Sequence, residues 1–452
     1  MGFNLITVKD ILFPGAYPSL YTPHRVKTIS ISLLVLCALL VHWPVFTHQF
    51  LYQWDDQWVA INTYTDDGFA SRNVWKVLTD FYTGQYAPVN EFYYIILHAA
   101  FGYNPFWFHA AGLLIHIGNV VLLYFFIGRL LDQARGVSPA SIQRISFFTA
   151  LLLAVHPFLV ESIAWVSASK IILYVFFYLI ALIYYLKYTV SSKSGYFWVT
   201  LVAFIFSFGA KEQAVTMPVC LLLLDYVLGR DLRSRKVWME KLPFFALSVF
   251  FGIVTILSQA DEGMGLLSDM KTYPFHQNIF FASYSLLEYF FKCVLPVNLY
   301  YVYPFPMPEG DPLPLRFWIY PFALAVIVIS LWSFWKQKWV FFGVSFFIIH
   351  LAIALHLIPM ARYAIIADRY VYLSSVGVFF LMAYLFDKAI EKGGPYLRVL
   401  MLGGLLYVFS LGVYAHERSK AWHDSVTLKK QFMELLQKRS DYKEETKKYL
   451  RH

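Results

Sequence analysis

Two adjacent carboxylates, Asp55 and Asp56, stand between tryptophans in Tyr52-Gln53-Trp54-Asp55-Asp56-Gln57-Trp58, directly after the first long apolar run. Tryptophan favours a membrane–water boundary because its ring is apolar while its N–H needs a partner. Carboxylates do not anchor a chain there, so the pair needs another use. A carboxylate can take the proton from an acceptor hydroxyl, and cations can steady a phosphate as it leaves. The cations that the expected topology gathers on the same side are Lys170, Lys211, Arg362 and Arg369, with Glu212 beside Lys211. Transfer of a glycosyl group from a lipid phosphate would need both kinds of group. Asp55 takes the role of base and Asp56 a supporting one, since neighbours in a helix or strand point in different directions. Arg369 is the first candidate for the phosphate, because its planar fork can bind two oxygens at once.

Each of these residues also has a plainer reading. Asp55 and Asp56 read equally as a solvated cap before the next segment, and Asp66-Asp67-Gly68 as a turn. Arg362 and Arg369 read as interfacial anchors. His109, His116 and Asn119 share one helix face, which suits hydrogen bonds between helices as well as a ligand. His156-Pro157 with Glu161 reads as a kink with a satisfied histidine, or as an intramembrane functional site. No His/Cys/Asp set has metal spacing, and no phosphate-cradling glycine loop or nucleophile elbow occurs.

These residues are positioned by a membrane domain. Of 452 residues, 59% are hydrophobic and only 14% charged, too few charges to cover a soluble protein of this length. Apolar runs able to cross a ~30 Å hydrocarbon core recur between Ile29 and Tyr414. The fold class is therefore an all-α polytopic membrane protein. The net charge of +9 falls largely in short connections and the last residues, which speaks of membrane orientation and not of nucleic acid. The cysteines Cys37, Cys220 and Cys293 suggest no disulfide framework. No Asn-x-Ser/Thr acceptor occurs, which favours a bacterial inner membrane, with the site facing the periplasm, over an endoplasmic reticulum.

The charge rule gives about eleven spans, near 28–46, 106–131, 145–164, 171–188, 195–210, 214–228, 242–258, 318–335, 338–357, 370–388 and 396–414. The N-terminus is then inside and the C-terminus outside. Two large outer loops, 47–105 and 259–317, lie on the Asp55 side. Val74, Val77, Leu78 and Phe81 repeat at helical spacing in the first and predict a short interfacial helix. The run 279–297 carries Glu288 and Lys292 four apart and is placed in the interface, because a span there would reverse the charge asymmetry of the loops that follow. The cations Arg230, Arg233, Arg235, Lys236 and Lys241 are the strongest cytoplasmic signal. Residues 1–415 form the membrane domain, and 416–452 a short outer helical tail.

Several stretches occur together and in order: Trp54-Asp55-Asp56, Tyr103-Asn104-Pro105-Phe106-Trp107-Phe108-His109, Val155-His156-Pro157 with Glu161-Ser162-Ile163-Ala164-Trp165, Lys211-Glu212, Leu295-Pro296-Val297-Asn298-Leu299 and Ala367-Asp368-Arg369-Tyr370-Val371-Tyr372-Leu373-Ser374. They resemble the membrane portion of the transmembrane and tetratricopeptide-repeat O-mannosyltransferases, within the GT-C glycosyltransferases, over residues 28 to about 430. The resemblance implies a GT-C-like fold and an inverting transfer of a sugar from a polyprenyl or dolichyl phosphate to a hydroxyl, usually Ser or Thr of a protein. It implies that Asp55 and Asp56 supply the base and that neither a metal nor another cofactor is required. The expected partners are a membrane lipid donor and a protein or glycan acceptor. The family's eukaryotic members continue into repeats where this sequence reaches Trp422-His423-Asp424-Ser425, so a separate acceptor-presenting protein is a further expectation. A flippase or transporter of lipid-linked sugars, a transferase acting on lipid or glycan, and a secretion scaffold remain as alternatives. A transporter should place charges near the bilayer midplane in two repeated halves, and no internal repeat is found.

Overall fold

A computed structural model describes residues 23–134, 136–261, 273–307, 310–357 and 364–437. Among them the chain is all helical, with two isolated backbone bridges, Tyr82–Gln85 and Tyr303–Ile366, and no strand. Five helical stretches are long and apolar enough to cross a membrane: His24–Thr47, Pro105–Gln133, Val166–Ser191, Arg235–Ala260 and Leu397–Lys420. The protein is thus an integral, multi-pass one. The other expected spans are shorter or more polar helices, such as Ser194–Ala210, Met217–Val227, Lys338–Leu351 and Ser375–Lys392.

The stretch 145–164, expected as one continuous span, is instead broken. A helix over Pro139–Val155 stops at His156, and the chain resumes over Pro157–Ala164 at an angle of 56°. Pro157 explains the break: it lacks an N–H and forces the preceding residue into an extended conformation. His156 adopts φ −78°, ψ 125°, and its Nδ1 accepts the Phe158 N–H at 3.3 Å. Counted as one bent span, the pair brings the total to six among the described residues.

Helix Ser169–Ser191 lies at the centre, packed on Ser194–Ala210 and on Pro105–Gln133. Pro139–Val155 packs on Pro105–Gln133 and on Ser375–Lys392, which in turn meets Lys338–Leu351. That last crossing is close because both helices present glycine. A Cβ built at Gly377 would collide with the Gly343 carbonyl oxygen, and small residues are the usual means of close helix approach in lipid.

Ion pairs tie both ends of the bundle. Along Pro139–Ala164 and along 369–392 the chain carries one pair at each end: Arg144–Asp387 at 2.6 Å and, at the other end, Arg369–Glu161 at 2.6 Å. The Arg144 end also belongs to the cations read as cytoplasmic. There Asp225 is fully buried between Lys241 (2.5 Å) and Arg230 (2.8 Å), and Arg230 also binds Glu240 at 2.7 Å. Part of that basic cluster is therefore paired inside the protein.

The Asp55 end is built by the first loop, helix Phe275–Val294 and the C-terminal segment. A helix is present where one was expected, over Ser71–Thr79, so Phe81 falls just beyond it. In Phe275–Val294 the pair Glu288–Lys292 forms at 3.1 Å, but Lys292 is buried and also donates to the carbonyls of Val297 and Asn298. This helix is not among those long and apolar enough to span. The last long helix runs on to Lys420, past the expected boundary at 415, and a further helix covers Ser425–Gln437. Gln49 N–H bonds the His423 carbonyl at 2.7 Å and the Trp54 ring meets Phe432 at 5.7 Å. The C-terminal segment therefore packs on the loop that carries Asp55.

Candidate active site

Asp55 sits at φ +83°, a left-handed conformation uncommon outside glycine and asparagine. Its carbonyl accepts from Trp58 N and Val59 N, starting the short helix Asp56–Val59. Its Oδ1 accepts from the Trp58 indole N–H at 3.2 Å. The carboxylate is half-buried. The turn sends Asp56 the other way, into the protein, where it is fully buried. Asp56 Oδ2 accepts the Leu51 N–H at 2.7 Å, and Oδ1 accepts from both the N–H and the hydroxyl of Ser167. Burial pushes its carboxyl up to about 6, against the lowering effect of the Ser167 and Leu51 donors. Asp56 thus fastens the turn from within, and Asp55 is left on its open side.

The segment that receives Asp56 also reaches the cations. Trp165 lies under the Arg369 guanidinium, 5.5 Å from ring to Cζ, and Tyr370 is 5.0 Å away. Arg369 NH1 binds the buried Glu161 carboxylate. Lys170 donates to Gln85 Oε1 and lies close enough to feel the charges of Lys211, Glu212 and Arg369. Lys211 binds Glu212 at 2.8 Å and stands 6.0 Å from the Tyr370 ring. Burial works to raise the Glu212 carboxyl, but Lys211 and Lys170 outweigh it and hold it below the usual range. Lys170, Lys211, Glu212, Arg369 and Glu161 are therefore one cluster. Residues Trp165 to Lys170 join it to Asp56.

Other expected site residues fall elsewhere. Arg362 lies outside the described residues. His156 caps the helix break, with its ring 4.9 Å from Phe379. His116 and Asn119 bond the Tyr372 hydroxyl at 2.6 and 3.3 Å, and Asn119 also bonds the Ile172 carbonyl. These bonds tie helix Pro105–Gln133 to helix Ser169–Ser191 and to Tyr372, just before Ser375–Lys392. His109 Nε2 lies 3.5 Å from the Gln49 carbonyl, and its ring is 5.3 Å from His48. It supports the loop that leads to Asp55. Asp66 accepts from the Tyr103 hydroxyl at 2.7 Å and is part of the loop's packing.

Nothing in the sequence pointed to Ser167, to the contact between Trp165 and Arg369, or to the buried pair Asp368–Arg418 at 2.8 Å. Arg418 also donates to the carbonyls of Leu299 and Tyr300, and so ties the last long helix to the second loop. Asp368 stands beside Arg369 in a stretch already singled out, so only its partner was illegible. Among the described residues no three His, Cys, Asp or Glu side chains gather as a metal would require.

Fold and site together define an integral helical membrane protein with a carboxylate turn and a cation cluster joined at one end of the bundle. No family model matches the chain. Human protein O-mannosyl-transferase TMTC4 is 32% identical over 127 residues, 26% of this chain and 17% of TMTC4. The chain thus spans a small part of that curated relative. Among solved structures, the archaeal oligosaccharyltransferase AglB from Archaeoglobus fulgidus, in complex with an inhibitory peptide and a dolichol-phosphate, is similar with a TM-score of 0.45 and 13% identity. The match covers 87% of this chain and 56% of AglB. By their names TMTC4 is a protein O-mannosyl-transferase and AglB an oligosaccharyltransferase.

Proposed function

We propose that the protein is an inverting glycosyltransferase that moves a sugar from a polyprenyl or dolichyl phosphate to a hydroxyl, in the first place Ser or Thr of a protein. The observation that carries this reading is the Asp56–Ser167 link. It holds the Asp55 turn against the segment whose Trp165 and Lys170 belong to the cation cluster. A base and a phosphate site are the two requirements of this chemistry, and in this reading one structural unit would carry both.

In the proposed reaction Asp55 takes the proton of the acceptor hydroxyl. The oxygen attacks the anomeric carbon as that carbon's bond to the phosphate oxygen breaks. The leaving polyprenyl phosphate departs with the bonding electrons, and the cations stabilise its charge. Arg369 is the first of these. Its NH1 is taken by Glu161; the rest of the fork makes no hydrogen bond to the described residues and would meet phosphate oxygens. Lys211 and Lys170 add charge, and no cofactor is assigned a step. The TMTC4 similarity supports a mannosyl group and a protein acceptor. An acceptor-presenting partner protein and a site facing the periplasm of a bacterial inner membrane belong to the same proposal.

A flippase reading finds less support, since the charged clusters sit at helix ends and not at the middle of the spans. The test is incubation of the purified protein with polyprenyl-phosphate mannose and cell-envelope proteins, followed by mapping of the modified residue. Transfer onto Ser or Thr supports the proposal in full. Lipid scrambling without any transfer overturns it.

A further inference from the structure

Beside the Asp55 turn lies a cleft with no part in the chemistry above. Trp58, Tyr64, Tyr82, Gln85, Asn90 and Glu91 are among its lining residues, and its enclosed part measures about 20 Å³. That is room for about one water-sized group. The walls are firmly built. Tyr82 and Gln85 exchange both backbone hydrogen bonds at 3.0 Å across Thr83 and Gly84, whose φ values of +50° and +66° fit a tight hairpin turn. Asn90 Oδ1 accepts from Ser169 at 2.8 Å. Gly209 lets the neighbouring helix approach closely, since a Cβ there would stand 2.8 Å from Val89.

Two polar groups of this cleft have bonding capacity to spare. Glu91 Oε2 accepts from Asn62 at 3.2 Å, whereas Oε1 accepts nothing from the described residues. The Tyr64 hydroxyl likewise has no partner among them. The cleft also touches both halves of the proposed site. Trp58 lines it and donates to Asp55, and Gln85 lines it and accepts from Lys170.

We propose that this cleft is a hydroxyl-reading subsite, in which Glu91 binds one hydroxyl of a sugar whose ring lies against the Trp58 and Tyr82 side chains. Aromatic faces take the apolar side of a sugar ring, while buried carboxyl and amide groups select its hydroxyls. A site built around a hydroxyl rejects an analogue that lacks it, because its own polar groups are then left unpaired. Burial lifts the Glu91 carboxyl to about 7, with Asn62 and Lys170 working against the rise. It therefore holds its proton part of the time near neutrality, and can donate to a hydroxyl as well as accept from one. The subsite rests on the transferase reading for its purpose, though not for its binding. The sugar is that of the donor or of a glycan acceptor.

The test uses the purified full chain and saturation-transfer NMR with methyl glycosides of mannose, glucose, galactose and N-acetylglucosamine, and with monodeoxy forms of whichever binds. The expected result is binding of at least one glycoside, with a several-fold loss on removal of one particular hydroxyl and a similar loss in Glu91→Gln. Arg72→Ala, at an exposed position on the neighbouring helix Ser71–Thr79 and outside the cleft lining, should retain binding. No glycoside binding, or binding unaltered in a folded Glu91→Gln protein, overturns the subsite. In transfer assays a raised donor KM in Glu91→Gln assigns the hydroxyl to the donor sugar, and a raised KM for a glycan acceptor assigns it to the acceptor. Binding that depends on Glu91 in a protein that transfers nothing sinks the transferase reading and leaves the subsite standing. Transfer that needs Asp55 but not Glu91, with no change in either KM, does the reverse.

Discussion

Asp55 and Asp56 are chemically identical, and their surroundings separate them. Asp56 is fully buried and accepts from Leu51 and Ser167. In Asp56→Asn one amide N–H would face a donor where a carboxylate oxygen now accepts. The expected cost is about 1–3 kcal/mol of stability, seen as a lower melting temperature. This cost varies with pH. The folded carboxyl titrates near 6 and the unfolded one near 4, so the native state holds the proton more tightly and loses stability as pH rises through that window. The advantage of wild type over the non-titrating asparagine should be largest near pH 4 and narrow above 6. A gap that widens with pH would show that hydrogen bonding to the ionised form outweighs burial. Arg369→Lys keeps the charge and loses the fork, and should raise donor KM about tenfold, the worth of roughly one charge-assisted hydrogen bond. Arg369→Ala also strands Glu161, at an added stability cost on the order of 2 kcal/mol once the arginine's partial exposure is allowed for. Unchanged donor KM in both variants would remove Arg369 from the phosphate site. Asp55 and Arg369 could be proposed from the sequence because residue type and expected side of the membrane sufficed to choose them, and their roles rest on the tests above. Ser167 was not, because a serine 111 residues from its partner has no local signature.

Among the helices, those of high hydropathy and ordinary length were legible: Pro105–Gln133 and Ser169–Ser191 begin and end within a few residues of the expected limits. The break at His156–Pro157 was visible in its residues, yet hydropathy alone carried the expected span straight across it. The Lys292 environment was hidden for a different reason. Spacing of four predicts a pair with Glu288, but says nothing of the Val297 and Asn298 carbonyls that draw the lysine inward. Likewise the charge rule counts cations, and Asp225 and Glu240, which neutralise part of the basic cluster, do not enter it. The glycine crossing gives a test at this scale. Gly377→Ala should cost about 1–3 kcal/mol by forcing Ser375–Lys392 away from Lys338–Leu351. A melting temperature equal to wild type would mean that the helices separate freely.

For the whole molecule, the bond between Gln49 and His423 places the C-terminal segment at the Asp55 end of the bundle. The two therefore lie at the same end of the bundle, and the proposed orientation, read from the charge asymmetry, puts that end outside. A cysteine replacing the exposed Lys430 should react with a membrane-impermeant maleimide from outside intact cells. Labelling only from the cytoplasmic side would overturn this orientation. The Asp55 role is tested most directly by the rate of sugar transfer from polyprenyl-phosphate donors by purified wild type and Asp55→Asn. Asparagine keeps the shape and the Trp58 hydrogen bond but removes the basicity. Turnover should fall on the order of 10²–10⁴, with the melting temperature and donor binding unchanged. Transfer by Asp55→Asn at the wild-type rate would contradict the account, and leave the carboxylate a cap on its turn.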